Sequence, residues 1–349
     1  MLEALSDGTL AALVGLAGGV ILGLAARLGR FCTLGAIEDL LYQQSSLRMR
    51  MWGVAIAVAV LGSFALMAVG ILPAEKTLYL GMVWSPLASV LGGLMFGYGM
   101  ALAGNCGFGA LARLGGGDLR SFVIVVVMGL AAYVTLSGPL APLRVWIFPM
   151  DRATDPAGLA HLAGRTFGLA PHVIGMAVGA IALIALLASP VWREKPASLF
   201  WAICVGLAVV SGWAGTALIA HAGFDAVPVV SHTFSAPIGE AMLFAMTSTG
   251  GSLSFGIGSV AGVWLGAFIG SLIKGHFRWE ACEDPRELRR QIFGAGLMGV
   301  GAVIAIGCTI GQGISAFSLL SYGAPITFAA IIGGAAIGLR QLIEGFAPV

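Results

Sequence analysis

The stretch ALAGNCGFGALARLGGG, residues 101–117, places a cysteine among glycines at the end of a long apolar run. Six of its seventeen residues are glycine, and Arg113 is its one charged residue. Glycine permits backbone angles that other residues avoid and lets a ligand approach the main chain closely. Whether Cys106 only packs or has a function depends on where this apolar run lies in the molecule.

The composition is that of a membrane protein. Of the 349 residues, 58% are hydrophobic and 10% are charged, with a mean hydropathy of +0.98, whereas a soluble domain is about one quarter charged. Segments long enough to cross a bilayer fill the chain, and they lack the alternation of a β-barrel, so they are predicted to be helices. We predict about nine spans, near residues 10–28, 51–72, 85–105, 120–139, 172–190, 197–219, 252–273, 291–307 and 324–343. The first is too long for the apolar region of a signal peptide and is predicted to be retained.

The distribution of basic residues predicts an orientation. With nine spans the connecting segments alternate sides, and of the 18 Lys and Arg residues only four lie on the side of the N-terminus, namely Lys76, Arg144, Arg152 and Arg165. The other side carries the remaining 14 of the 18. Because loops rich in Lys and Arg stay in the cytoplasm, the N-terminus is predicted outside and the C-terminus in the cytoplasm. The expected location is a bacterial inner membrane.

The chain contains two similar halves. FCTLGAIEDLLY from Phe31 resembles FSAPIGEAMLF from Phe234, and GLMFGYGMALAGNCGFG from Gly93 resembles GLMGVGAVIAIGCTIG from Gly296. The distance from the first motif to its cysteine is 75 residues in one half and 74 in the other. A single integral membrane domain is therefore predicted, with repeats at about 10–140 and 197–343 and a joining span at about 172–190. An offset of five spans would invert the second repeat, as in many transporters.

Four short segments are neither good spans nor good soluble loops, namely residues 31–47, 106–119, 234–250 and 308–322. Irregular backbone at membrane depth is tolerated only where protein or a cavity covers it. We therefore predict four short re-entrant half-helices. The free N–H groups at the start of such a helix carry partial positive charge and bind anions.

Thiols and hydroxyls stand at the predicted starts of these half-helices. Cys32, Cys106 and Cys308 are the candidate substrate-path residues, and Ser235 is the counterpart of Cys32 in the second repeat. Weak donors of this kind suit transport, since an ion must also leave each site. The supporting candidates beside them are Asn105, Gly107, Gly307, Thr309, Gly311 and Arg30, and Arg30 could equally be an interfacial anchor.

The other polar residues of these segments favour ordinary structural roles. Glu38, Asp39 and Glu240 lie in the short segments, where they could cap helices or carry a proton, and a structural role is favoured. His232 is expected at the outer surface. Cys204 lies inside a predicted span and is expected to pack. With five widely spaced cysteines and no Cys–x–x–Cys pattern, neither a metal nor another cofactor is expected.

The motifs GRFCTLGAIEDLL, GLMFGYGMALAGNCGFGAL, RWEA and GLMGVGAVIAIGCTIGQGIS together resemble the YeeE/YedE family of sulfur-compound transport membrane proteins. The resemblance implies thiosulfate uptake through an inverted-repeat fold, with Cys32, Cys106 and Cys308 touching the substrate through S–H hydrogen bonds. It also implies a possible small cytoplasmic sulfur-carrier partner, for which residues 275–290 would offer a docking surface, and no nucleic acid. The motif here reads Gly-Asn-Cys where a second glycine is more usual, and the Asn105 amide could alter the preferred ion.

The direction of the spans predicts that the ion passes from Cys308, on the outer half, to Cys106, on the inner half. Two other classes stay open. One is a membrane enzyme that takes sulfur as a persulfide on Cys106 or Cys308. The other is a channel or transporter for a different anion, such as a selenium compound or sulfite, in which the cysteines merely pack.

Overall fold

The protein is described here from a computed structural model that covers residues 6–223, 227–281 and 284–345. Cys282 lies outside the described residues. Regular structure in the described part is helical, with isolated β-bridges between loops. The helices are α1 (Asp7–Leu28), α2 (Thr33–Leu41), α3 (Leu47–Ala68), α4 (Pro86–Ala103), α5 (Gly107–Leu114), α6 (Leu119–Leu136), α7 (Ala141–Ile147), α8 (Leu159–Phe167), α9 (Pro171–Leu187), α10 (Val191–Glu194), α11 (Pro196–Ala222), α12 (Ala236–Thr247), α13 (Phe255–Ile273), α14 (Pro285–Ile304) and α15 (Gly323–Glu344). A π-helical turn, Gly311–Ala316, and a 3₁₀ turn, Phe317–Leu319, follow Cys308.

The prediction of an all-helical, multi-pass membrane protein is confirmed. Seven segments of the described chain are long and apolar enough to cross a membrane, and they contain α1, α3, α4, α6, α11, α13 and α15. Helices α8 and α9 are bent by 119° relative to each other and would make an eighth span if counted as one. Each of the nine predicted segments coincides with a helix, but α9 has only 17 residues and α14 begins with charged turns. Length and composition therefore give seven or eight spans.

Helix boundaries follow from local sequence. The Ser85 side chain accepts the N–H of Ala88, and Pro86 occupies the first turn, where a missing N–H costs nothing. The same helix, α4, ends at Gly104, whose φ of 76° is the left-handed conformation that glycine adopts freely. That turn is what redirects the chain into Asn105 and Cys106.

Glycines allow α1 and α13 to pack at backbone contact. A Cβ added at any of the facing glycines of α1 would collide with a carbonyl of the partner segment, so larger residues would force the helices apart. The contacts advance together along both helices, which therefore run parallel. They pair Gly8 with Leu253, Gly15 with Phe255 and Gly23 with Val263.

Three other pairs of long helices have directions that their glycine contacts define. Helices α3 and α11 run parallel, as do α4 and α15, whereas α4 and α14 run antiparallel. The contacts that define these directions are Ala55–Gly206 and Gly62–Val210, then Gly93–Thr327 and Gly97–Ile331, then Gly92–Gly301 and Gly99–Gly294. Backbone contact through glycine is therefore the common packing mode of the core.

Three connecting segments form a cap at one end of the bundle. The N–H of Val83 donates to the carbonyl of Asp151 at 2.9 Å, and that of Ala157 to Leu80 at 2.9 Å. A bridge between Thr77 and Val229 attaches the same α3–α4 loop to the segment before α12. This cap positions Tyr79 next to the site described below.

Candidate functional site

Two of the short helices begin at predicted cysteines, whose sulfur atoms cap them. Cys32 Sγ accepts the N–H of Gly35 at 3.5 Å, and Cys106 Sγ accepts the N–H of Gly109 at 3.4 Å. The sulfur thus satisfies one of the unpaired N–H groups at the helix start. Because the bond uses a sulfur lone pair, the S–H hydrogen is left to donate elsewhere.

Cys308 is held differently. Its sulfur accepts the N–H of Phe234 at 3.2 Å and lies 3.7 Å from Thr233 Oγ1, so it binds the segment before α12. The carbonyl of that same Phe234 lies against Gly107, where an added Cβ would be 2.7 Å from the oxygen. One peptide segment of the second half therefore contacts the cysteine region of both halves.

The three candidate cysteines lie together although they are far apart in the chain. Cys106 is fully buried, and its electrostatic neighbours include the thiols of Cys32 and Cys308. The Thr309 hydroxyl lies beside the Cys106 sulfur, yet it makes no hydrogen bond of good geometry within the described residues. The result is a cluster of three thiols, in which Cys106 and Cys308 are fully buried and Cys32 is partly exposed, with the Thr309 hydroxyl beside Cys106.

Buried polar atoms without partners accompany each cysteine. Thr33 Oγ1, Asn105 Oδ1 and Thr309 Oγ1 have no hydrogen-bond partner in the described part of the chain, and their residues are at most 2% exposed. Each of the three is adjacent in sequence to Cys32, Cys106 or Cys308. Leaving such a group unsatisfied costs about 1–3 kcal/mol, so its presence calls for a ligand or water.

Tyr79 and Thr233 belong to this site, and sequence reasoning missed both. The Tyr79 hydroxyl faces the Thr233 hydroxyl and is an electrostatic neighbour of Cys308. Both oxygens lie over Gly311, where an added Cβ would be 2.5 Å from Thr233 Oγ1 and 3.1 Å from the Tyr79 hydroxyl. The hydroxyl-rich run before α12 was a usable signal for Thr233, whereas no local pattern marks Tyr79.

Gln312 is a third residue that sequence reasoning missed. Its Nε2 donates to the carbonyls of Ala305 at 2.7 Å and Ile306 at 3.2 Å, at the end of α14. Ile306 has a φ of 57°, which is costly for a β-branched residue, and Gly307 has a φ of 154°. The buried amide therefore holds the strained turn that leads into Cys308.

The remaining predicted site residues have mixed placements. Ser235 is buried but forms no capping bond with α12, so it matches Cys32 in position and not in bonding. Arg30 ends α1 in a left-handed turn with a φ of 54°, closed by the N–H of Phe31 donating to Ala25. The prediction for Asp39 fits, since its carboxylate pairs with Arg48 at 3.2 Å.

The expectation that His232 lies at the surface is wrong. The residue is fully buried, and its Nδ1 lies 2.6 Å from Ser259 Oγ. Its carbonyl accepts the hydroxyl of Ser315 at 2.6 Å, and its ring fills the space left by Gly18. His232 therefore anchors the segment that carries Thr233 and Phe234, a role that depends on packing between distant helices.

Two cavities approach the cysteines from opposite ends of α1 and α13. The basic cavity, about 730 Å³, is lined by six cations, by Glu38 and Glu280, and by Cys32, Asn105 and Gly109. Its cations are Arg27, Arg30, Arg48, Arg113, Lys274 and Arg278. The Glu240 cavity, about 620 Å³, reaches Thr233, and Glu240 is the one charged residue in its lining among the residues that the structure describes. Cys106 and Cys308 are fully buried between the two.

This arrangement can hold a small anion by weak hydrogen bonds. It offers thiols, hydroxyls and an amide in a buried path, with basic side chains at one end. Within the described residues no cluster of three or more His, Cys, Asp or Glu side chains could hold a metal ion. The thiols, hydroxyls and amide are uncharged hydrogen-bond donors and acceptors, which can make contacts that are easily reversed.

One family model and two known proteins match most of this chain. The family model described as "Sulphur transport" matches residues 28–337. A thiosulfate transporter, TsuA, of Escherichia coli K12 is 26% identical over 351 residues, which cover 89% of this chain and 88% of that protein. A thiosulfate transporter TsuA of Spirochaeta thermophila is 26% identical over 328 residues, covering 90% and 94%.

Proposed function

The chain belongs to the sulphur transport family, and on that premise we propose that it takes up thiosulfate across the bacterial inner membrane. The observation that carries the proposal is the group of three neighbouring cysteines, Cys308, Cys106 and Cys32, of which the first two are fully buried. Each has a polar atom next to it in sequence that has no partner among the described residues, and one cavity reaches Cys32 while another reaches Thr233 beside Cys308. The relatives are named as transporters, and we assign no covalent chemistry to the chain.

We infer nine spans from the directions of packed helices. Helices α1 and α13 run parallel, so an even number of crossings must separate their starts. Counting only the seven long apolar segments gives five crossings, which would make the pair antiparallel. A crossing by α9 supplies the sixth. Helix α14 lies antiparallel along α4, which supports its crossing as well.

An inverted repeat is supported by the pattern of helix contacts. The repeat pairs α1 with α11, α3 with α13, α4 with α14 and α6 with α15. Exchanging the halves turns the contact of α1 with α13 into that of α11 with α3, and the contact of α4 with α15 into that of α14 with α6. All four contacts occur. Helices α4 and α14 take each other's place in the exchange, so their own contact is unchanged by it, and this contact also occurs. The same exchange turns the contact of α2 with α3 into that of α12 with α13, which also occurs.

We assign the basic cavity to the cytoplasmic side, following the distribution of Lys and Arg. The Glu240 cavity then opens outward, and the ion enters past Thr233 to Cys308. It passes Thr309 to Cys106 and leaves past Cys32 and Asn105. The short helices that start at the cysteines are in this view re-entrant, with their positive ends toward the middle of the path.

Thiosulfate suits this path by its chemistry. It is a dianion with three oxygens and a soft terminal sulfur. Thiol, hydroxyl and amide donors can each give it a weak hydrogen bond without a fixed charge, and a buried charge in a membrane would be costly. Because no single contact is strong, the ion can leave each site for the next. On the cytoplasmic side, a small sulfur-carrier protein is the partner we propose, docking near residues 275–290.

The test is uptake of labelled thiosulfate by cells that lack their own sulfur importers. Cys106→Ser and Cys308→Ser are compared with the intact chain, with Cys204→Ser as the matched control because Cys204 lies in α11 away from the path. We expect both path variants to lose most uptake and the control to retain it. Excess sulfate should compete poorly, since it lacks the soft sulfur.

Other results would assign a different function. Normal uptake in Cys106→Ala would reduce the cysteines to packing residues and overturn the proposed path. Complete loss in both serine variants, together with a persulfide on Cys106 or Cys308 in mass spectra, would favour the membrane enzyme. Absence of uptake by the intact, well-expressed chain would remove thiosulfate as the substrate.

A further inference from the structure

The basic cavity contains four cations that have no acidic partner in the part of the chain that the structure describes. Arg48 pairs with Asp39 and Arg278 pairs with Glu280, but four other cations have no carboxylate oxygen within 4.0 Å among the described residues. These four are Arg27, Arg30, Arg113 and Lys274, and all of them line the same cavity. We call them the cation cluster.

The cation cluster is held in place by neutral groups. Arg27 Nε donates to Ser271 Oγ at 2.7 Å, and Lys274 Nζ donates to the carbonyl of Arg27 at 2.7 Å. Arg30 is fixed by the left-handed turn that ends α1. Among the described residues, Arg27 and Lys274 are thus positioned by neutral groups and not by a counter-charge.

The members of the cluster repel one another. The pKa of Lys274 is lowered, first by burial and then by the charges of Arg30 and Arg27. Glu280 and Asp118 lie near Arg27 at longer range and offset part of this repulsion. Like charges held together in a partly buried cavity attract a counter-ion, and guanidinium groups match the geometry of oxyanions.

We propose that the cation cluster binds a divalent oxyanion from the cytoplasmic side, and that the bound ion blocks release past Cys32 and Asn105. The site would thus give inhibition of uptake by sulfate or a similar divalent oxyanion present on the cytoplasmic side. The inhibitory half rests on the proposed function, whereas the binding half does not. Phosphate groups of lipid headgroups share this chemistry, and the experiment separates the two sources.

Binding is tested on the purified protein in phosphatidylcholine nanodiscs. Thermal stability is followed during titration with sodium sulfate and, at equal ionic strength, with sodium chloride. We expect sulfate to raise Tm more than chloride does, because a ligand that binds the folded state stabilises it. Arg113→Gln and Arg30→Asn should weaken the apparent sulfate affinity about tenfold each. Asparagine tolerates the left-handed turn at position 30, so this variant removes charge without breaking it.

Arg193→Gln is the control, since this cation lies on α10 outside the cavity lining. Equal effects of sulfate and chloride, or unchanged sulfate affinity in both cluster variants, would overturn the proposal. A rise in Tm with phosphatidylglycerol but not with sulfate would also overturn it and assign the cluster to lipid.

The inhibitory half is tested in right-side-out vesicles loaded with sulfate. Loading should slow the initial uptake of labelled thiosulfate severalfold, and Arg113→Gln should relieve most of that effect. If sulfate binds but loading leaves uptake unchanged, the inhibitory role is wrong. If the intact chain transports no thiosulfate at all, the proposed function fails. The nanodisc titration alone then decides whether the cation cluster binds a divalent oxyanion.

Discussion

At the scale of single residues, the cysteines act as hydrogen-bond acceptors toward the protein and are left as donors toward the proposed path. Cys32 and Cys106 accept from their own helices, whereas Cys308 accepts from Phe234 across the site. A serine could replace the acceptor function, but its shorter, harder oxygen would hold an oxyanion more tightly and solvate a soft sulfur less well. The thiol therefore suits an ion that must be released again.

Hydroxyl groups around Cys308 provide a first residue-scale prediction. Removing the hydroxyl in Tyr79→Phe leaves Thr233 without its neighbour, and Thr233→Val removes the oxygen 3.7 Å from Cys308 Sγ. We expect each to lower the initial rate of thiosulfate uptake about two- to tenfold, the value of one hydrogen bond. Tyr42→Phe, at an exposed tyrosine, is the control.

A structural role alone would lower expression or Tm without changing which ion is preferred. The uptake assay is therefore repeated with sulfate as competitor. A changed ratio of thiosulfate to sulfate, at unchanged Tm, is the expected result. An unchanged ratio in both variants would remove Tyr79 and Thr233 from the path.

Gly107→Ala provides a second prediction at this scale. The new methyl group would lie 2.7 Å from the Phe234 carbonyl oxygen and 2.7 Å from Met128 Sδ, so the two halves must separate locally. We expect a loss of about 1–3 kcal/mol in stability, measured as a fall in Tm in detergent, together with reduced uptake. Gly296→Ala is the matched control, because an added Cβ there meets nothing within 4 Å. A Tm for Gly107→Ala equal to that of the control would contradict the close contact.

Sequence alone identified the residues that carry local signals. Cys106 and Cys308 stand out because each lies among glycines at the same place in a repeated motif. Tyr79 and His232 could not be identified, since the former reaches the site through a loop cap and the latter through packing against α1 and α13. Their relation to the cysteines depends on contacts between residues distant in sequence, which a local pattern does not encode.

At the scale of elements, the short helices begin where glycine and cysteine patterns predicted, but the last one has an irregular interior. The segment after Cys308 continues through a π-helical turn into a 3₁₀ turn and ends at Leu320, with a φ of 50°. Such departures from α-helix are common at functional sites. The sequence signal for a helix start is local and strong, whereas the hydrogen-bond pattern inside the helix depends on what packs around it.

The turn before Cys308 provides the element-scale prediction. Gln312→Leu removes the two bonds that its amide donates to the carbonyls of Ala305 and Ile306. Because both carbonyls are then left without these donors, we expect a loss of about 1–3 kcal/mol, seen as a lower Tm. The control is Gln43→Leu at an exposed position, which should leave Tm unchanged.

The same variant should also expose Cys308 to chemistry. If the amide holds the turn, its loss should speed the alkylation of Cys308 by a small maleimide, measured by mass spectrometry of the modified peptide. Cys204 provides the internal reference. An unchanged alkylation rate at an unchanged Tm would show that Gln312 does not hold this turn.

At the scale of the whole molecule, the hydropathy of the sequence predicted a helical membrane protein with nine spans. The length and composition of the helices support seven or eight. Helix α9 has only 17 residues, which is short for a span. The first turns of α14 carry four charged residues, Arg286, Glu287, Arg289 and Arg290. The charged first turns of α14 lower its mean hydropathy, although its later turns are apolar. The parallel packing of α1 with α13 depends on the order of crossings, so helix contacts bear on span number where composition does not.

Crossing by α9 is the whole-molecule prediction. Arg152, in the loop before α8, and Arg193, in α10, are both exposed, and they stand on either side of α9 in the chain. In a variant whose native cysteines are replaced by serine, a membrane-impermeant maleimide on intact cells should label Arg152→Cys. It should label Arg193→Cys only after the cells are opened. Both sites should react equally in detergent, which controls for local accessibility.

The labelling also separates the possible topologies. With α9 crossing, Arg152 lies outside and Arg193 in the cytoplasm, and α1 and α13 can run parallel through the membrane. Labelling of both sites on intact cells would mean that α9 returns to the side from which it started. Nine alternating spans and the inverted repeat would then be wrong together, because the second half would no longer enter the membrane in the opposite sense. Labelling of Arg193→Cys alone would keep the nine crossings but reverse the orientation, and the basic cavity would then face outward, where it could attract the ion before it enters the path.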